Sequence, residues 1–157
     1  MSGRYVAVIG PGSDLPREQV DAAYEIGRQL AARGAVILTG GLGGIMQAAA
    51  AGAQAAAGTS IGLLPGRDRT LASPEHTLAL PTGMGEMRNA LLVRSADLVV
   101  AVGCSWGTLS EIALAIRTGV PLVHLYGWAD YRSEGVAAES PEEAVRRVEE
   151  ILHPDRG

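Results

Sequence analysis

The chain contains no lysine: all 13 of its basic side chains are arginines. That absence excludes two large classes of enzyme. A pyridoxal-phosphate enzyme builds its Schiff base on a lysine, and a Walker A loop closes on its phosphates with one. Cysteine occurs once, as Cys104, so no internal disulfide can form and a cytoplasmic location is the expectation. Charge is sparse, at 19% of residues, and its balance is −4 with a pI near 5.3. Nonspecific nucleic-acid binding needs a basic face, so no nucleic-acid partner is expected. No apolar run approaches the length of a membrane span, and Met1 to Tyr5 leads straight into a strand, so neither membrane nor signal peptide is expected. His76, His124 and His153 fit no metal-ligand spacing, and there is no second cysteine. Neither a metal nor a resident cofactor is therefore expected.

What is present is apolar and rich in glycine. Hydrophobic residues form 47% of the 157-residue chain, enough for one well-buried core in a single domain spanning 1–157. Short apolar runs at Tyr5–Ile9, Ala35–Thr39, Thr59–Leu64, Leu98–Val102 and Leu122–Tyr126 read as buried strands, with a weaker one within Glu75–Leu80. Helical spacing fills Pro16–Arg33, Gln47–Ala57, Met84–Ser95, the segment after Gly107, and a final helix from Ser140 to Leu152. Strand and helix alternate, which predicts an α/β fold: a doubly wound, Rossmann-like, mostly parallel sheet flanked by helices. In such folds ligands bind outside the carboxyl ends of the strands.

Three glycine turns follow strands and open helices. The stretch from Asp97 to Ile116 is the most informative: a buried strand, then Gly103 and Gly107 around a tight turn, then Thr108-Leu-Ser-Glu111 entering a helix. Backbone N–H groups at such a helix start accept an anion, so a phosphorylated small molecule is the expected partner. Gly40-Gly-Leu-Gly-Gly44-Ile-Met46 exposes further N–H groups after the second strand, with Gly41 and Gly43 inside it. After the first strand, Gly10-Pro-Gly12-Ser13-Asp14 starts like a Gly-x-Gly-x-x-Gly fingerprint, but Leu15 stands where the third glycine belongs. Gly12 and Ser13 either face the ligand or form an ordinary turn, in which Ser13 or Asp14 caps the next helix. A dinucleotide site needs an acidic residue at the end of the second strand; Thr39-Gly40-Gly41 stands there instead, which argues against NAD.

Arg88 shares a helical face with Met84, Leu91 and Ser95, so its stem is expected half buried with a definite anionic partner, either the ligand or a carboxylate such as Glu86. Glu111 is open to two readings. It either acts on the ligand or closes a capping box with Thr108. The polar-aromatic segment Gly127–Glu134 is expected to cover the site or to make a subunit contact.

Three segments together resemble the LONELY GUY (LOG) family of nucleotide phosphoribohydrolases. The stretch Val102-Gly103-Cys104-Ser105-Trp106-Gly107-Thr108-Leu109-Ser110-Glu111 resembles the family's Pro-Gly-Gly-x-Gly-Thr-x-x-Glu, with Cys104-Ser105 in place of Gly-Gly. Met84 or Gly85 through Arg88 resembles its Met-x-x-Arg-Lys, with Asn89 in the lysine position, and the Gly40–Met46 turn completes the set. The Arg-Asn pair is closer still to a bacterial subgroup that includes molybdenum-cofactor carrier proteins. The resemblance implies a nucleoside 5′-monophosphate phosphoribohydrolase releasing free base and ribose 5-phosphate, with Arg88 and Glu111 catalytic. Gly12, Ser13, Gly40, Gly41, Gly43, Gly44, Met46, Asn89, Gly103, Ser105, Gly107 and Thr108 would contact the nucleotide. The alternative it leaves open is a carrier that holds a nucleotide or a phosphorylated cofactor such as molybdenum cofactor without chemistry. It also implies a homo-oligomer, a dimer or tetramer.

Overall fold

The computed structural model describes residues 1–128 and 134–154. Its strands are β1 (Tyr5–Ile9), β2 (Val36–Thr39), β3 (Ser60–Leu64), β4 (Leu78–Pro81), β5 (Leu98–Val102), β6 (Leu122–Leu125) and β7 (Val136–Ala137). Helices α1 (Arg17–Ala32), α2 (Ile45–Ala55), α3 (Arg88–Ser95), α4 (Trp106–Thr118) and α5 (Pro141–Leu152) connect them. The strands form one sheet in the order β4-β3-β2-β1-β5-β6-β7. Every pairing among the described residues is parallel, where the sequence predicts only a mostly parallel sheet.

Alternation along the strands divides the core in two. Val6, Val8, Ile37, Val100 and Val123 point into the layer made by α1, α2 and α5. Ala7, Ile9, Leu38, Val99 and Ala101 point the other way, onto Leu92 and Val93 of α3 and Ile112 and Ala115 of α4. Both faces of the central strands are thus dry, which is why they read as unbroken apolar runs. Helices α1 and α2 touch backbone to backbone: a Cβ on Gly27 would collide with the Ala49 carbonyl, and one on Gly52 with the Tyr24 carbonyl.

The order in which the chain adds strands reverses between β1 and β5, which are parallel neighbours although far apart in sequence. Strand order to one side runs β1 to β4 and to the other β5 to β7, so the loops after β1 and β5 diverge over the sheet edge and leave a crevice there. Those loops are the Gly10–Asp14 and Gly103–Ser105 turns.

Several local expectations change. Helix α1 starts at Arg17 behind Pro16, without a side-chain cap, because Ser13 is exposed and Asp14 takes a positive φ of 55° in the turn itself. At its other end Gly34 closes the helix: its φ is 89°, its N–H bonds the Ala31 carbonyl, and the Ala35 N–H bonds that of Leu30. The Met84–Ser95 segment divides into a 3-10 helix, Gly85–Met87, and α3 proper. The two-residue strand β7 has no counterpart in the sequence reading. Residues 129–133 of the Gly127–Glu134 segment lie outside the described residues.

Candidate functional site

The turns after β1, β2 and β5 meet at the crevice. Gly44, with a φ of 62°, is pressed against the loop after β1, and any Cβ there would strike the Pro11 carbonyl. The Ile45 N–H bonds that same carbonyl at 3.1 Å. The turn after β5 completes the junction: Gly103, at a φ of 74°, donates to the Leu125 carbonyl at 2.9 Å, and its α-carbon faces Pro11 and Gln19. Gly41 is buried, its N–H on Thr39 Oγ1 at 2.9 Å and its carbonyl accepting from the Ser73 N–H at 3.0 Å. These glycines have internal reasons to be glycine. Two others do not: Gly12 is exposed with only the Met46 methyl 3.6 Å from where a Cβ would stand, and Gly107 would meet only Ser105 Oγ at 3.9 Å. Gly43 stands between the cases, its Cβ position 3.3 Å from the Gly12 carbonyl. Open space therefore lies over Gly12 and Gly107.

At the start of α4 the cap is Ser105. Its Oγ accepts the Thr108 N–H at 3.3 Å and lies 3.0 Å from Thr108 Oγ1. One of the two sequence readings puts the cap at Thr108 with Glu111 as its partner; the structure puts it three residues back. Thr108 is buried and its N–H is taken by the cap. The N–H groups of Trp106 and Gly107 make no hydrogen bond among the described residues, and they point out of the helix's positive end.

Glu111 is consequently no cap. It lies inside α4 with 6% of its surface exposed, and its Oε1 is 3.7 Å from Arg88 Nη1. Burial pushes its carboxyl up to about 7, against the opposing pull of the Arg88 charge. Arg88 opens α3 and is 8% exposed; burial lowers its pKa while Glu111 raises it. The pairing expected with Glu86 is not made, since Glu86 is on the exposed 3-10 turn. Nor does Arg88 share the face of Met84 and Leu91, which are 42% and 40% exposed; its buried companions are Leu92 and Val93. Arg88 Nη2 donates to the Gly40 carbonyl at 3.3 Å, and Nη1 donates to Asn89 Oδ1. Its Nε is buried without a hydrogen-bond partner among the described residues. Asn89 passes the link on, its Nδ2 donating to Ser110 Oγ at 3.2 Å. One guanidinium thereby ties the end of β2 to α3 and α4. The loop ahead of it is pinned to β3 by Thr82 and Gly85, whose N–H groups bond the Leu64 and Pro65 carbonyls.

Two features of this end of the sheet escape the sequence reading. His76 bridges the β2 end, its Nε2 2.5 Å from Thr39 Oγ1 and its Nδ1 2.7 Å from Ser73 Oγ. Thr39, polar yet fully buried at a strand end, was the available signal. The second is Trp106, 79% exposed and packed edge to face on Trp128; its position between two glycine-flanked motif residues was the clue. Two hollows lie away from the site: one of about 760 Å³ beside α1 and α5, among Glu18, Tyr24, Tyr126 and Glu142, and one of about 520 Å³ at the opposite end of the strands, among Arg33, Arg146, Glu149 and His153. The charges of the second already pair, Arg33 with Glu149 at 2.9 Å and Arg146 with Glu150 at 3.8 Å.

A parallel sheet with its switch point between glycine turns, a helix start with open donors and a buried Arg-Glu pair beneath it define a Rossmann-like protein of the LOG type. The chain belongs to the SLOG cluster4 family, whose model matches residues 3–153. It is similar to the molybdenum cofactor binding protein of Rippkaea orientalis, 34% identical with a TM-score of 0.91 over 97% of this chain and 99% of that one. The Moco carrier protein of Chlamydomonas reinhardtii is 33% identical with a TM-score of 0.88 over 96% and 98%. An uncharacterized protein of Archaeoglobus fulgidus is 38% identical over 141 residues, 89% of this chain and 91% of that one.

Proposed function

We propose that this chain binds a small phosphorylated ligand at the switch point and carries it without chemistry, the ligand being a cofactor of the molybdenum-cofactor type. The observation that carries the reading is the open pair of N–H groups at Trp106 and Gly107, set over a buried Arg88–Glu111 pair whose groups already hold one another. A phosphate docked there takes two backbone hydrogen bonds and the positive end of α4. Gly12 and Gly43 keep the facing wall low enough for the rest of the molecule. Arg88 acts from below as a brace, fixing α4 against α3 and the Gly40 turn. Relatives described as molybdenum cofactor binding and carrier proteins, 34% and 33% identical along nearly their whole length, support the same cargo. The test is native mass spectrometry and molybdenum analysis of protein purified from a cofactor-producing host. One phosphorylated pterin per chain is expected; an empty protein would count against the carrier.

A second reading keeps the phosphoribohydrolase, and one observation favours it: a carboxyl near pH 7 beside an arginine suits acid-base work at neutrality. Water would add at C1′ of a nucleoside 5′-monophosphate as the base departs with a proton. Against it stands the burial of Glu111, which has 6% of its surface open to a substrate. Incubation with a panel of nucleoside monophosphates decides: free base released by the wild type and lost in Glu111→Gln would reinstate the enzyme. A homo-oligomer, joined through the outer faces of α3 and α4, belongs to either reading.

A further inference from the structure

We infer that Trp106 is a stacking surface for the planar ring of the ligand, so that the site selects phosphorylated heterocycles and not phosphate esters at large. This rests on the phosphate reading above and deepens it by naming the residue that would hold the ligand's ring.

The chain has two tryptophans, and both stand at this one rim. Their ring centroids are 4.9 Å apart with the planes at 78°. An edge-to-face contact of this kind fixes the tilt of each ring. It covers little of Trp106, which keeps 79% of its surface in water while Trp128 keeps 38%. The fold has no structural call on an indole at this place. Trp106 is the first residue of α4, belongs to neither core cluster, and supplies no hydrogen bond to the cap that Ser105 already makes.

Helical side chains lean toward the N-terminus of their own helix. The indole of Trp106 therefore overhangs the very end at which its own N–H and that of Gly107 are open. A ligand whose phosphate takes those donors must lead the rest of its body out past the ring. The facing wall, across the junction of β1 and β5, offers no competing bulk: Gly12 is bare, and the nearest side chain is the pliable Met46. A flat heterocycle led out this way would stack on the open face of the indole. A sugar phosphate without a ring would gain only the backbone contacts.

Isothermal titration with two probes tests this: guanosine 5′-monophosphate, which has both ring and phosphate, and ribose 5-phosphate, which has the phosphate alone. Trp106→Ala should weaken the first about tenfold, within the range measured for stacking of one base on an aromatic side chain, and leave the second unchanged. Trp106→Phe should restore most of the loss. Equal binding of both probes to wild type and Trp106→Ala overturns the stacking role while the phosphate site stands. An equal loss for both probes assigns Trp106 to the helix end and also overturns it. If neither probe binds the wild type, the phosphate reading itself fails. Light scattering run alongside covers the remaining occupant: a wild-type dimer that Trp106→Ala converts to monomer shows the ring covered by a second copy, and refutes the inference.

Discussion

Glu111 holds its proton to higher pH in the folded chain than in the unfolded one, with a value of about 7 against the ordinary 4.5. Its contribution to stability is therefore complete below pH 4.5 and lost as the pH rises through about 7. Urea unfolding of wild type and Glu111→Gln across that window should show the wild type losing up to about 3 kcal/mol relative to the variant, with no further change above it. His76 has the opposite sign. Burial holds it below its ordinary 6.5, although the Ser73 carbonyl and the Glu75 carboxylate pull upward. Its share is present above pH 6.5 and disappears as the pH falls through the lower folded value. Thr39→Val removes the hydroxyl that accepts from the Gly41 N–H and faces His76. It should cost about 1–3 kcal/mol, speed amide exchange at Gly41 and shift the His76 ring titration followed by NMR. At this scale the sequence singled out residues more readily than their partners. Arg88 and Glu111 were both picked out, but their mutual pairing was not, because it joins two helices on one face of a sheet whose order is not written in local spacing. The cap at Ser105 was missed for a different reason: Thr108-x-x-Glu111 satisfies the same local pattern, and only the position of the first helical turn decides between them.

Helix α4 carries the proposed phosphate site at its start, and that role can be separated from its role in the fold by substitution. Gly107→Asp places a carboxylate in the first turn, where the helix dipole favours it by about 0.3–1 kcal/mol, and a residue more helix-prone than glycine. The Cβ has room, the nearest atom being Ser105 Oγ at 3.9 Å. The variant should melt at or slightly above the wild-type temperature in a calorimetric scan. Its affinity for phosphorylated ligands should fall at least tenfold, since the same positive end now faces its own anion. A fall in both quantities would mean that Gly107 serves the fold. The elements themselves were largely readable: continuous β-branched runs gave β1 and β5, and Gly34 and Gly119 marked helix ends where left-handed residues are found, the latter with a φ of 74°. Strand β7 was not, because two residues carry no periodicity; it exists through its pairing with β6.

The whole molecule covers its sheet unequally. Three helices lie on one face and two on the other, and the outer surface of the thinner side carries Met84, Met87, Leu91 and Ile116, all at least 38% exposed. The edge strand β4 adds Leu78 and Leu80 at 53% and 48%. Exposed apolar side chains of that kind suit a contact with another chain. Multi-angle light scattering should find a dimer or larger, and Leu91→Glu combined with Ile116→Glu should give a folded monomer with unchanged far-UV circular dichroism. The doubly wound class was legible from alternation alone. The position of the switch point was not, since it depends on β1 choosing β5 as its neighbour over some 90 residues of intervening chain.

The edge-to-face indole pair has an optical consequence. Every photon of tryptophan emission from this protein originates within one contact of the α4 N-terminus, with no core indole to dilute it. The unlabelled chain is thus its own reporter. Quenching or a blue shift of its intrinsic fluorescence reads occupancy of that rim directly, and the rate of the change gives residence time, the property by which a carrier is distinguished from an enzyme that lets go.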